Sequence, residues 1–121
     1  MKVLVVDDSD AIRSRLVSLL RELPGADVHE ATRADEALAL CRAMRVDAVL
    51  LDLHMPGKWG LAIVASLKAL DPPPVVVVMT GHPTEHHRRS SLAAGADYFF
   101  DKSHEFEHAI EILVRPTPTR P

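Results

Sequence analysis

The apolar residues of this chain fall in short unbroken runs, and that restricts its fold more than any other feature. Val3-Leu4-Val5-Val6, Ala48-Val49-Leu50-Leu51 and Val75-Val76-Val77-Val78-Met79 contain no polar residue. A strand with one wet face would alternate apolar and polar positions. Unbroken Val/Leu runs suit strands covered on both faces, as in a parallel sheet between layers of helices. The intervening segments carry apolar residues at helical spacing. Residues 11–22 hold Ile12, Leu16, Leu19 and Leu20, with Leu23 just beyond. Ser9 or Asp10 suits the start of that helix, and Pro24-Gly25 ends it. Residues 28–31 read as a weaker strand. Residues 34–44, 61–70, 84–94 and 106–114 read as four more helices, with Gly95 suited to a left-handed position after the fourth.

Strand and helix thus alternate five times, which predicts an α/β fold with a doubly wound five-stranded parallel sheet. Right-handed crossovers prune the topologies, and the order 2-1-3-4-5 is the simple solution. The 121 residues suit one domain, expected over 1–115, with 116–121 (Pro-Thr-Pro-Thr-Arg-Pro) a disordered tail. The net charge of -3 speaks against a nucleic-acid-binding or polybasic membrane surface. The single cysteine, Cys41, excludes an intramolecular disulfide and fits the apolar face of the second helix. Neither a signal peptide nor a run of about 20 apolar residues is visible, so a cytoplasmic location is expected.

The strands end in chemistry. Asp7-Asp8 follow the first run, Asp52 the third and Thr80 the fourth, while Asp101-Lys102 close the fifth, Tyr98-Phe99-Phe100. Ligands of open α/β sheets bind beyond the carboxyl ends of the strands, where strand order reverses. In the 2-1-3-4-5 order all of these side chains face one crevice. Three carboxylates gathered there repel one another, and a hard divalent cation with oxygen ligands, Mg²⁺, relieves the repulsion. Lys102 supplies a point charge and Thr80 one hydroxyl donor. Asp52, between strands on both sides, is the candidate nucleophile for a covalent aspartyl-phosphate. Metal and ammonium would neutralise charge developing on a transferring phosphoryl group.

At these residues the chain resembles the receiver domain of bacterial two-component response regulators. The match is Val5-Val6-Asp7-Asp8; Leu51-Asp52-Leu53-His54-Met55-Pro56-Gly57 with Gly60; Met79-Thr80-Gly81; and Gly95-Ala96-Asp97-Tyr98-Phe99-Phe100-Asp101-Lys102. Four pieces in order, at matching spacings, extend through about residue 114. The resemblance implies a flavodoxin-like three-layer sandwich in which Asp52 accepts a phosphoryl group from a histidine kinase or histidine phosphotransfer protein. It implies Mg²⁺ held directly by Asp8 and Asp52, through water by Asp7, and by the backbone carbonyl of His54. Thr80 and Lys102 would contact the phosphoryl oxygens, and Phe99 occupies the aromatic switch position. The face of the fourth helix, fifth strand and fifth helix would then change its affinity for a downstream protein or a second copy of the chain. Such a protein signals by contact, without touching nucleic acid, and its only catalysis is its own phosphorylation and dephosphorylation.

Two features depart from the pattern. Ser103 follows Lys102 where the family usually has proline, and His54 and His82 stand two residues beyond Asp52 and Thr80, at positions that tune phosphoryl lifetime. Two rivals remain at this level. A receiver-like binding module that is never phosphorylated would share the fold. A small aspartyl-phosphate phosphohydrolase would share the nucleophile, but His54 replaces its second aspartate and no cap insertion is present. Plainer readings exist residue by residue. Asp7-Asp8 also suit a helix cap, and Phe99 suits a partly buried core position. His82 and His86 share a helix-face spacing but lack a third metal ligand, so a solvated basic helix with Arg88 and Arg89 is expected there. Trp59 falls in the loop after Pro56-Gly57, at the rim of the crevice or at the surface that meets the phosphoryl donor.

Overall fold

The computed structural model describes residues 1–53, 60–81, 84–101 and 111. The elements follow in strict alternation: β1 (Lys2–Val6), α1 (Asp10–Arg21), β2 (Asp27–Ala31), α2 (Ala34–Ala43), β3 (Ala48–Asp52), α3 (Gly60–Lys68), β4 (Val75–Thr80), α4 (Glu85–Ala93) and β5 (Tyr98–Asp101). The helix expected at 106–114 and the tail at 116–121 lie outside the described residues, apart from Glu111.

The strands form one parallel sheet in the order β2-β1-β3-β4-β5. Apart from half-buried Val75, the valine and leucine runs are buried, and neighbours along each strand point into different cores. Leu4, Val6, Val49, Leu51, Val76 and Val78 pack with Ala34 and Ala37 of α2 and with Ile63, Val64 and Leu67 of α3. Val3, Val5, Leu50, Val77, Met79 and Phe100 pack on the other face with Leu16, Val17 and Leu20 of α1. Both faces of the sheet are therefore dry, which is why these strands have no polar alternation. β2 is the exception. At the edge of the sheet, its Val28, His29 and Glu30 are half-buried or exposed and only Ala31 is buried.

Local chemistry sets the helix ends. Ser9 is the N-cap of α1, its hydroxyl accepting from the Ile12 amide at 3.4 Å. Thr84 caps α4 in the same way, accepting from the His87 amide at 3.0 Å. Gly95 follows α4 with φ +113°, a conformation that side-chain-bearing residues rarely adopt. A Cβ there would also come within 3.1 Å of Lys68 Cγ. At the amino ends of the strands, Asp47 accepts from the Lys2 amide at 2.7 Å, and its own carbonyl accepts from the Val75 amide at 2.9 Å. One residue thus aligns the starts of β1 and β4 on either side of β3. No helix among the described residues is long and apolar enough to cross a membrane.

Candidate functional site

The register of the sheet decides which strand ends meet. Val6 pairs with Leu51, so Asp7 follows β1 beside Asp52, the last residue of β3. Asp52 pairs with Met79, which puts Thr80 one step further along β4, and Thr80 in turn pairs with Asp101. The carboxylates of Asp7, Asp8 and Asp52 converge, with one oxygen from each within 4.8 Å of the others. Asp7 and Asp52 are buried, at 2% and 6% exposure, while Asp8 faces solvent. Thr80 is fully buried.

Among the described residues, three carboxylates this close, two of them out of water, concentrate negative charge at this end of the sheet, with Asp8 on the solvent side. The donor set is oxygen only, as hard divalent cations prefer, and the three acids are close enough to hold one ion among them, directly or through water. The chain around the pocket is held firmly. The Asp7 amide donates to the Ala31 carbonyl at 3.1 Å, extending the β1–β2 ladder by one bond. The Ser9 amide donates to Asp7 Oδ1 at 2.8 Å, closing a tight turn from the end of β1 into α1.

The sequence-predicted residues divide accordingly. Asp7, Asp8 and Asp52 come together at the carboxyl ends of β1 and β3, and Thr80 ends the adjacent strand. Phe99 lies opposite Val78 in the β4–β5 pairing and packs, half-buried, against the α2–α3 core. Lys102, Ser103, His54, His82 and Trp59 lie outside the described residues. Cys41 is half-buried against the same core, and burial pushes its thiol pKa up to about 11.

The contacts of two well-placed residues escaped sequence reasoning. Arg13, on the first turns of α1, donates through Nη1 to the Asp7 carbonyl at 2.8 Å and through Nε to Glu30 at 3.0 Å, and it also pairs with Asp10. Its i,i+3 spacing from Asp10 was readable, but its contacts with β1 and β2 were not. Asp97 accepts from Lys68 Nζ and from the Val76 amide, both at 2.8 Å, tying the approach to β5 to α3 and β4.

The acidic cluster thus sits at the carboxyl ends of the strands, at the switch point where doubly wound sheets bind their ligands. Residues 3–114 match the family model of the response regulator receiver domain, and the chain belongs to that family, the receivers of two-component response regulators. It is 43% identical over 84 residues to the positive alginate biosynthesis regulatory protein of Pseudomonas aeruginosa, an alignment covering 68% of this chain and 34% of that one. The signal receiver domain of the response regulator NarL from Mycobacterium tuberculosis superposes with a TM-score of 0.84 at 28% identity, covering 96% of this chain and 97% of that chain. A Burkholderia pseudomallei response regulator, solved with a phosphorylated aspartic acid, calcium ion and citrate, superposes with a TM-score of 0.82 at 29% identity, covering 90% of this chain and 64% of that one. The chain spans about a third to a half of the length of the first curated relatives it matches.

Proposed function

We propose that the domain, taken as residues 1–115, is a phosphoryl-accepting switch that takes its phosphoryl group from a phosphohistidine onto Asp52. The observation that carries this reading is the convergence of Asp7, Asp8 and Asp52 at the switch point of the sheet. The phosphorylated aspartic acid and calcium ion of the Burkholderia relative support it.

In the transfer, a carboxylate oxygen of Asp52 attacks phosphorus in line with the departing imidazole. The O–P bond forms as the P–N bond breaks, and the imidazole leaves with its electron pair and takes up a proton. Asp8 and Asp52 would hold Mg²⁺ directly, with Asp7 acting through water and the His54 carbonyl completing the protein ligands. The ion supplies positive charge against the phosphoryl oxygens. Lys102 pairs with a phosphoryl oxygen and Thr80 donates a hydrogen bond to another. Thr80 and Asp52 are both buried, so the hydrogen bond and the new O–P bond form at the inner wall of the site.

Thr80 and Phe99 then form the relay outward. Both belong to the β4–β5 pair, and a shift of the Thr80 hydroxyl toward phosphate frees space along the strand that carries Val78, opposite Phe99. The phosphate biases this two-state arrangement only as far as it binds the two states differently. The readout is a changed affinity of the α4–β5 side for a downstream protein in the cytoplasm or for a second copy of the chain.

The test is incubation with acetyl phosphate or a phosphohistidine donor, with and without Mg²⁺, followed by mass spectrometry. One phosphoryl group on Asp52, dependent on Mg²⁺ and absent in Asp52→Asn, is the expected result. A chain that stays unmodified with every donor, or is modified elsewhere, overturns the reading in favour of a binding module. Steady turnover of a small phosphate ester would point to a phosphohydrolase instead.

A further inference from the structure

We propose that Arg13 is a positioning residue for the divalent cation, fixing the Asp7–Asp8 peptide so that both carboxylates point at one ion. The inference rests on the reading of the site given above.

Arg13 contacts the acidic turn, yet its contact with Asp7 runs to the backbone carbonyl and not to the carboxylate. Its other two nitrogens donate to acids outside the pocket, Nη2 to Asp10 on α1 and Nε to Glu30 on β2. The guanidinium fork therefore joins three elements. It holds the end of β1, the first turn of α1 and the end of β2 in one rigid arrangement. The Arg13 side chain is 13% exposed and its bond to the Asp7 carbonyl is partly buried, while Asp10 and Glu30 hold the outer edge of the fork from the solvent side.

The consequence for charge is specific. A guanidinium bound directly to the Asp7 or Asp8 carboxylate would compete with an incoming cation. Asp10 and Glu30 hold Arg13 away from that role. The Asp7 carbonyl belongs to the peptide that leads into Asp8, the exposed and least constrained of the three acids. A hydrogen bond to that carbonyl fixes the orientation of the peptide plane, and with it the direction in which the Asp8 side chain leaves the backbone. Groups that orient metal ligands in this way influence affinity without touching the metal.

Positioning and simple charge predict opposite signs. If Arg13 acted only as a nearby positive charge, its removal would tighten Mg²⁺ binding. If it positions the turn, removal weakens binding. The experiment is a calorimetric titration of the whole chain with MgCl₂, comparing wild type, Arg13→Gln, Arg13→Lys and Glu30→Gln, with thermal unfolding in EDTA recorded alongside. The expected result is a Kd for Mg²⁺ raised about tenfold in both Arg13 variants, the size typical of lost outer-shell support. Glu30→Gln should give a smaller increase. Arg13→Lys keeps the charge but lacks the fork, so its weakening isolates geometry from charge, and it carries the comparison should Arg13→Gln fail to fold. An unchanged or tighter Kd in Arg13→Gln, or a Lys variant that binds like wild type, overturns the inference while the site stands. A wild-type chain that binds no Mg²⁺ overturns the site and the inference together.

Discussion

Ser91 lies on the buried side of α4, fully out of water, and its hydroxyl has no hydrogen-bond partner among the described residues. A buried hydroxyl without a partner loses its hydration and gains nothing in return, at a cost of about 1–3 kcal/mol. Ser91→Ala removes that oxygen and improves helix propensity while leaving the packing almost intact. Urea unfolding should show the variant more stable than wild type by about 1 kcal/mol; a clear loss of stability would mean that the hydroxyl is satisfied after all. Cys41 makes a different case at the same scale. Burial raises its thiol pKa to about 11, above the ordinary value of 9.0, so the folded protein disfavours the thiolate. Well below the ordinary value of 9.0 the thiol is protonated in both states and has no effect. As pH rises from there towards 11, the unfolded chain ionises first and stability falls. Cys41→Ala should show a shallower alkaline decline in Tm, and the wild-type thiol should react slowly with iodoacetamide at neutral pH.

At the scale of elements, Asp97 does the work of a clasp. Its carboxylate receives the Lys68 ammonium from the end of α3 and the Val76 amide from β4, and the Lys68 ammonium also donates to the Pro74 carbonyl at 2.8 Å. Asp97→Ala leaves an amide and an ammonium without their carboxylate, a loss of about 2–4 kcal/mol in a partly buried setting. Asp97→Asn keeps an acceptor for Val76 and should lose less, so a urea series over both variants separates the hydrogen bond from the ion pair. This clasp also marks the limit of what could be read beforehand. β1, β3 and β4 were legible because their faces are both dry, and every residue of those runs obeys one rule. β2 was faint because it is an edge strand, and its Val28-His29-Glu30 faces solvent in part. Asp27 extends that strand through a backbone bond to the Met1 carbonyl at 2.8 Å, which no local pattern announces. The three carboxylates of the site were readable from their place after apolar runs. The Arg13–Glu30 and Lys68–Asp97 pairs were not, because they reach across 17 and 29 positions of sequence to elements whose adjacency only the folded topology creates.

For the whole molecule, function and stability pull against each other at the carboxyl end of the sheet. The fold gathers Asp7, Asp8 and Asp52 within 4.8 Å, and without a cation their mutual repulsion opposes folding. A unit-charge pair at such a distance is worth about 1 kcal/mol in a water-like dielectric, the fitting value for a pair that includes exposed Asp8. Because Asp8 is exposed, Asp8→Asn sacrifices little packing and removes one of the repelling charges. In EDTA this variant should therefore melt a few degrees above wild type, the shift that about 1 kcal/mol produces in a domain of this size. Mg²⁺ should reverse the order. Wild type gains stability as the ion binds the folded state, about 2.7 kcal/mol at a hundred times Kd, whereas Asp8→Asn gains far less. Two melting curves for each protein, with EDTA and with saturating Mg²⁺, decide the matter. A wild-type Tm indifferent to Mg²⁺, or an Asp8→Asn variant less stable than wild type in EDTA, would show that the three acids are not held in tension and that the pocket is not tuned for a cation.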